Sequence, residues 1–103
     1  MLGDQLSDAL TNLTQLILKT KDPAKRKRLM EQHEQLAGEL QILVDKMVDQ
    51  ALPEYLAATA ALEEANLLAE AAKLDLDKLA ATITSMAKAI NQVVLLAAKV
   101  SLV

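Results

Sequence analysis

The side chains that carry most enzyme chemistry are scarce in this sequence and stand apart from one another. Cysteine is absent, which removes thiolate nucleophiles, disulfides and thiolate-ligated metals. His33 is the single histidine. The run His33-Glu34-Gln35-Leu36-Ala37 lacks the second histidine, four residues on, that lets one helix face offer two imidazoles to a zinc ion. A di-iron Glu-x-x-His pair needs a glutamate three residues before the histidine, and Met30 stands there. His33 therefore reads as a packed or boundary residue. Ser85-Met86-Ala87-Lys88 has the S-x-x-K spacing in which a lysine serves a serine nucleophile. The S-D-N and K-T-G elements that complete such a site are missing. Glu63 and Glu64 are adjacent, so on a helix they point about 100° apart and cannot share a proton. Asp75 and Asp77 are a second carboxylate pair, and either could cap a helix if the chain breaks there. Asp45 and Asp49, one turn apart, read as solvated like charges rather than a cation site. With only Gly3 and Gly38 there is no glycine-rich phosphate loop. The expectation is a protein without catalytic residues, cofactor or metal, and so not an enzyme.

One charged feature is dense. Lys19, Lys21, Lys25, Arg26, Lys27 and Arg28 are six of the 11 basic residues, and against Asp22 alone they give that stretch a charge of +5. Four of them open the helix expected to begin at Pro23, where the positive end of the helix dipole disfavours cations. Two readings compete. If residues after Pro53 fold back on the preceding helix about residue 52, Arg28 faces Asp77 and Glu31 faces Lys73. Such surface pairs contribute about 0.2–1 kcal/mol each. Otherwise Lys25, Arg26, Lys27 and Arg28 form a patch for an anion or acidic partner. Pairing and solvation is the preferred reading. A nucleic-acid partner is disfavoured by the net charge of −3 and by a single aromatic residue, Tyr55.

The elements that must position these residues are helices. Among 103 residues there are 21 Leu and 18 Ala, and Ala, Glu, Lys, Leu and Arg together make 57. That share exceeds the ~50% typical of long helices and coiled coils. Two glycines and ten Ile plus Val argue against a sheet. Asp22 followed by Pro23 is a helix start, because the carboxylate accepts orphan N–H groups and proline loses no helical bond at the first position. Pro53 forces a second break. The first helix carries Leu6, Ala9, Leu10, Leu13, Leu16 and Ile17 on one stripe. The second carries Leu29, His33, Leu36, Leu40, Leu43 and Met47, widened by Met30, Ala37, Val44 and Val48. After Pro53 two heptad classes are wholly apolar: Tyr55, Leu62, Ala69, Leu76, Ile83, Ile90, Ala97, and Ala58, Ala65, Ala72, Leu79, Met86, Val93, Val100. A strict seven-residue repeat of this length predicts one helix of roughly 70 Å packed along a partner. Tyr55 is expected to pack its ring and turn its hydroxyl to water.

The fold expected is therefore all-α, a single domain over residues 1–103 with helices at about 4–20, 23–50 and 53–100. It is an antiparallel helical hairpin or three-helix bundle with one long C-terminal helix. The alternative is a four-helix bundle, if that helix breaks near residues 73–77 with Asp75 or Asp77 as cap.

Leu56, Leu67, Leu74, Leu95 and Leu102 lie off the heptad seam, and a helix apolar on more than one side is central or shared with another chain. The end of the sequence, from Val93, carries only Lys99 as charge. Val93, Leu95, Leu96, Val100 and Leu102 are the candidate oligomer or partner interface. The function expected is a non-catalytic helical protein–protein interaction module, such as a scaffold, adaptor, chaperone or inhibitor. Its protein partner is unidentified, and it self-associates as a homo-oligomer. A membrane-associating amphipathic helical protein is the second reading. Residues 79–103 carry only Lys88 and Lys99, yet a mid-segment lysine and the lack of an aromatic belt weigh against it. A nucleic-acid regulator using residues 19–28 is the third. The start Met1-Leu2-Gly3-Asp4-Gln5 lacks a basic, then apolar, leader. The longest uncharged run, Ala89 to Ala98, is short of the ~20 residues of a membrane span. A cytoplasmic location is expected.

Overall fold

Asp22 and Pro23 begin a helix as their chemistry dictates. In the computed structural model, Asp22 Oδ1 accepts the N–H groups of Ala24 (2.9 Å) and Lys25 (3.4 Å), and the Asp22 carbonyl accepts from Arg26 N (2.9 Å). The structure describes residues 2–44, 46 and 48–101. Asp45, Met47 and Leu102, which figure in the expectations above, lie outside the described residues. Among the described residues there are four α-helices: α1 Leu2–Lys19, α2 Pro23–Val44, α3 Pro53–Leu74 and α4 Leu79–Ser101. No strand occurs among the described residues. The chain is all-α.

Two boundaries differ from the sequence reading. Helix α2 stops at Val44 rather than near Gln50. A turn follows, with Lys46 N donating to the Leu43 carbonyl, and Asp49 closes a second turn by accepting Ala51 N on Oδ1 (2.9 Å) and Leu52 N on its carbonyl (3.2 Å). Leu52 is extended (φ −61°, ψ 135°), as the following proline requires, and α3 starts at Pro53. The third segment is not one long helix. It breaks at Asp75, whose backbone is extended (φ −146°, ψ 98°) and whose carboxylate accepts Asp77 N at 3.1 Å. A single 3₁₀ turn, Leu76–Lys78, then leads into α4.

The heptad pattern survives this break. All of its positions are buried except exposed Leu76, in the turn, and half-buried Val100. The seven-residue period thus marked a buried face on two helices that fold against each other, not a seam awaiting another chain. The alanines at 58, 65, 69 and 72 have no exposed surface. They let α4 approach α3 closely, and Thr82 Oγ1 reaches the Leu68 carbonyl across the contact at 3.1 Å.

Hydrogen bonds set the direction of α1 against α3. Leu2 N donates to Tyr55 Oη (3.2 Å), Asn12 Nδ2 to Asn66 Oδ1 (3.0 Å) and Lys19 Nζ to the Lys73 carbonyl (3.2 Å). The sequence offset is nearly constant along the contact, so α1 and α3 run parallel. The Tyr55 hydroxyl is spent on the first turn of α1 and does not turn to water. Helix α1 also packs on α2, α3 on α4, and α2 on α4. Among the described residues the backbones of α2 and α3 do not come close, nor do those of α1 and α4. The expected pairs of Arg28 with Asp77 and Glu31 with Lys73 needed α2 beside α3 and the turn after it, and among the described residues they are not made. The partner of Lys73 is Glu70, one turn back (3.1 Å).

The core joins Leu6, Leu13 and Leu16 of α1, Leu29 and Leu36 of α2, Leu62 of α3 and Met86, Val93 and Leu96 of α4. On α2, Gln32 rather than His33 turns inward, and its Nε2 donates to the Ile83 carbonyl at 2.9 Å. Met30 and Val44, counted above with the α2 stripe, are exposed instead.

Candidate functional site

Three surfaces combine unusual residues. The first is one end of the 42 Å long axis, where α1 and α3 end and α2 and α4 begin. The loose C-terminal carbonyls there need donors, and the basic cluster supplies two. Arg26 donates from Nε (3.1 Å) and Nη2 (2.6 Å) to the Thr20 carbonyl, and Lys19 caps α3 at Lys73. Thr20 Oγ1 turns back to the Leu16 carbonyl at 2.6 Å. Of the candidate anion patch, Arg26 is thus a capping residue. Lys25 is half-buried at its backbone-capped position, while Lys27 and Arg28 are exposed. Among the described residues Lys21, Lys25, Lys27 and Arg28 have no side-chain hydrogen bond or ion pair, so of the preferred reading solvation, and not cross-helix pairing, describes them.

The second surface is a groove of about 560 Å³ between α1 and α3, lined by Gln5, Asp8, Asn12, Glu63, Asn66 and Glu70 among others. Its floor is a chain of amides. Asn12 donates to Asn66, and Asn66 Nδ2 donates to the Gln5 carbonyl at 3.2 Å. The sequence reading missed this network, because an asparagine on a helix is ordinarily a solvated residue. The one available signal was that Asn12 and Asn66 fall beside apolar core positions.

The third surface is the outward side of α3. Leu56 (58% exposed), Leu67 (68%) and Leu74 (92%) recur on the side turned away from the core, with Ala60 between them. They belong to the off-seam set seen in the sequence, and Leu95 on α4 is likewise exposed. The candidate interface at the end of α4 is placed differently. Val93 and Leu96 have no exposed surface and Val100 packs against the core, so their partners lie within the chain. Of the described members only Leu95 is presented to solvent.

The chemistry-bearing residues stay apart. Ser85 and Lys88 edge a shallow groove on α4 with Glu64 and Thr84, and His33 is half-buried on α2. No cluster of three or more His, Asp or Glu side chains is arranged to hold a metal ion among the described residues. The stretch Leu76–Ser101 is long and apolar enough by length and composition to cross a membrane, with 39% of its most apolar window buried. The uncharged-run criterion did not reveal this, since Lys88 divides the stretch. Its apolar face is the one that fills the core, so lipid contact there would require α4 to leave α3.

No protein-family model, curated protein or solved structure matches this chain.

Proposed function

We propose that this chain forms a closed four-helix bundle acting as a non-catalytic protein-interaction module that self-associates through the outer face of α3. The observation that carries this is the line Leu56, Leu67 and Leu74, three leucines more than half exposed on one side of one helix. A single exposed leucine is ordinary, whereas three of them on one side along five turns are a surface suited to a partner. A two-fold contact sets the same stripe on both copies, so one self-complementary patch suffices. This moves the interface from the residues after Val93 to α3, because the core already uses Val93 and Leu96.

Sedimentation equilibrium at micromolar concentration tests the reading. The unaltered chain is expected as a dimer or larger species, and Leu67→Glu as a monomer with an unchanged far-ultraviolet circular dichroism spectrum. A strictly monomeric unaltered chain refutes self-association.

A further inference from the structure

The basic end of the molecule carries an apolar component that its charge alone does not explain. Residues 18–28 and 73–78, with Glu70 that pairs with Lys73, hold eight of the 11 basic residues and four acids, a local charge of +4. The whole chain carries −3, so everything else sums to −7. The fold brings these two stretches together, since Lys19 Nζ lies 3.2 Å from the Lys73 carbonyl. Beside each of those lysines in the chain stands a leucine turned to solvent, Leu18 (79% exposed) and Leu74 (92%). Leu76 in the adjoining turn is 43% exposed.

We propose that this end docks on an anionic lipid surface, with Lys21, Lys27 and Arg28 at the headgroups and Leu18, Leu74 and Leu76 reaching the acyl boundary. Stable attachment to a bilayer takes two signals, a polybasic patch and an apolar insertion. The structure places both on one end. The leucines decide between polyanions: a nucleic acid offers phosphates but no apolar phase for Leu74, whereas a bilayer offers both. The three headgroup cations are free for this role, because the capping of α1 and α3 is done by Arg26 and Lys19. The acidic remainder of the chain is repelled by the same surface, which orients the long axis away from it. This mode needs no unfolding of α4.

Vesicle co-sedimentation tests it, using phosphatidylcholine alone and phosphatidylcholine with about one-third phosphatidylserine. Binding is expected to the anionic vesicles only, and to be released as salt rises from about 0.1 to about 0.5 M. Lys21→Ala/Lys27→Ala/Arg28→Ala is expected to weaken it by about fivefold per cation removed. Leu74→Ser is expected to weaken it several-fold at unchanged salt dependence. All four positions are exposed, so a thermal melt serves as the folding control. Leu74 also ends the stripe on α3, so Leu67→Glu, which keeps the chain monomeric and leaves Leu74 open, is expected to bind the anionic vesicles at least as well as the unaltered chain. Equal binding to neutral vesicles, binding that persists in the triple variant, or no binding at all overturns the proposal. Salt-sensitive binding to RNA or DNA without vesicle binding overturns it in favour of a phosphate-backbone partner.

Discussion

Asn66 offers the most direct test of how the helices are placed. It accepts an N–H from Asn12 at 3.0 Å and donates to the Gln5 carbonyl at 3.2 Å, so it joins α1 to α3 twice. Asn12 is 3% exposed. Asn66→Leu therefore leaves the Asn12 amide with neither water nor partner, an orphan costing about 2 kcal/mol, and removes a second bond for about 1 kcal/mol. A total near 3 kcal/mol is a large share of the ~5–15 kcal/mol that holds a typical domain folded. It should lower the melting temperature by about 12–24 °C for a chain of this size. Asn12→Leu alone should cost less, because Asn66 is only half-buried and can reach water. Replacing both removes donor and acceptor together, and an apolar pair of similar shape is close to neutral. The double variant should thus be more stable than the sum of the singles predicts, by at least about 1 kcal/mol. Urea unfolding followed by far-ultraviolet circular dichroism measures this, with a constant slope showing that only stability changed. Additive singles, within about 0.3–0.5 kcal/mol, would mean that the two asparagines do not touch. The parallel register of α1 on α3 would then be refuted.

Three further outcomes follow from named contacts. Asp22→Ala removes the acceptor for Ala24 and Lys25 and should cost about 1 kcal/mol, while Asp22→Asn should retain most of it; melting temperatures decide. Arg26→Lys keeps the charge but not the two-pronged grip on Thr20, so the urea midpoint should fall by the equivalent of about 1 kcal/mol, and an unchanged midpoint would remove the capping role. Met86→Ala empties a wholly buried position and should cost about 2–5 kcal/mol, whereas Lys88→Ala, exposed two residues on, should stay within about 0.5 kcal/mol in the same assay.

Local chemistry made several features legible before any coordinates. Asp22 and Pro23 start α2 because a short-range carboxylate and a fixed φ act within one turn. Pro53 breaks the chain for the same local reason. The apolar stripe of α1 is the buried stripe, since Leu6, Ala9, Leu13 and Leu16 are all inside. The candidate basic surface was visible as a charge run, although its division into capping residues and free cations was not. The break at Asp75 was less legible. Asp75 was a candidate cap, but the heptad phase continues through the turn, so a long helix and a folded-back pair bury the same positions.

Residue types and their spacing alone determined that this chain is all-α, where two of its helices begin, and which face of each helix is apolar. Those are properties of one helix or one turn, set by propensity, capping and the 3.6-residue period. Tertiary structure alone decided which faces meet. Periodicity marks a face for burial but carries no information about the neighbour that covers it. The sequence reading paired α2 with the stretch directly after Pro53 because they are consecutive, yet the connection after Val44 carries the chain across, so that α3 lies beside α1 and α2 beside α4. That choice sends Val93 and Leu96 into the core. It leaves Leu56, Leu67 and Leu74 of α3 outside and gathers two distant basic stretches at one end.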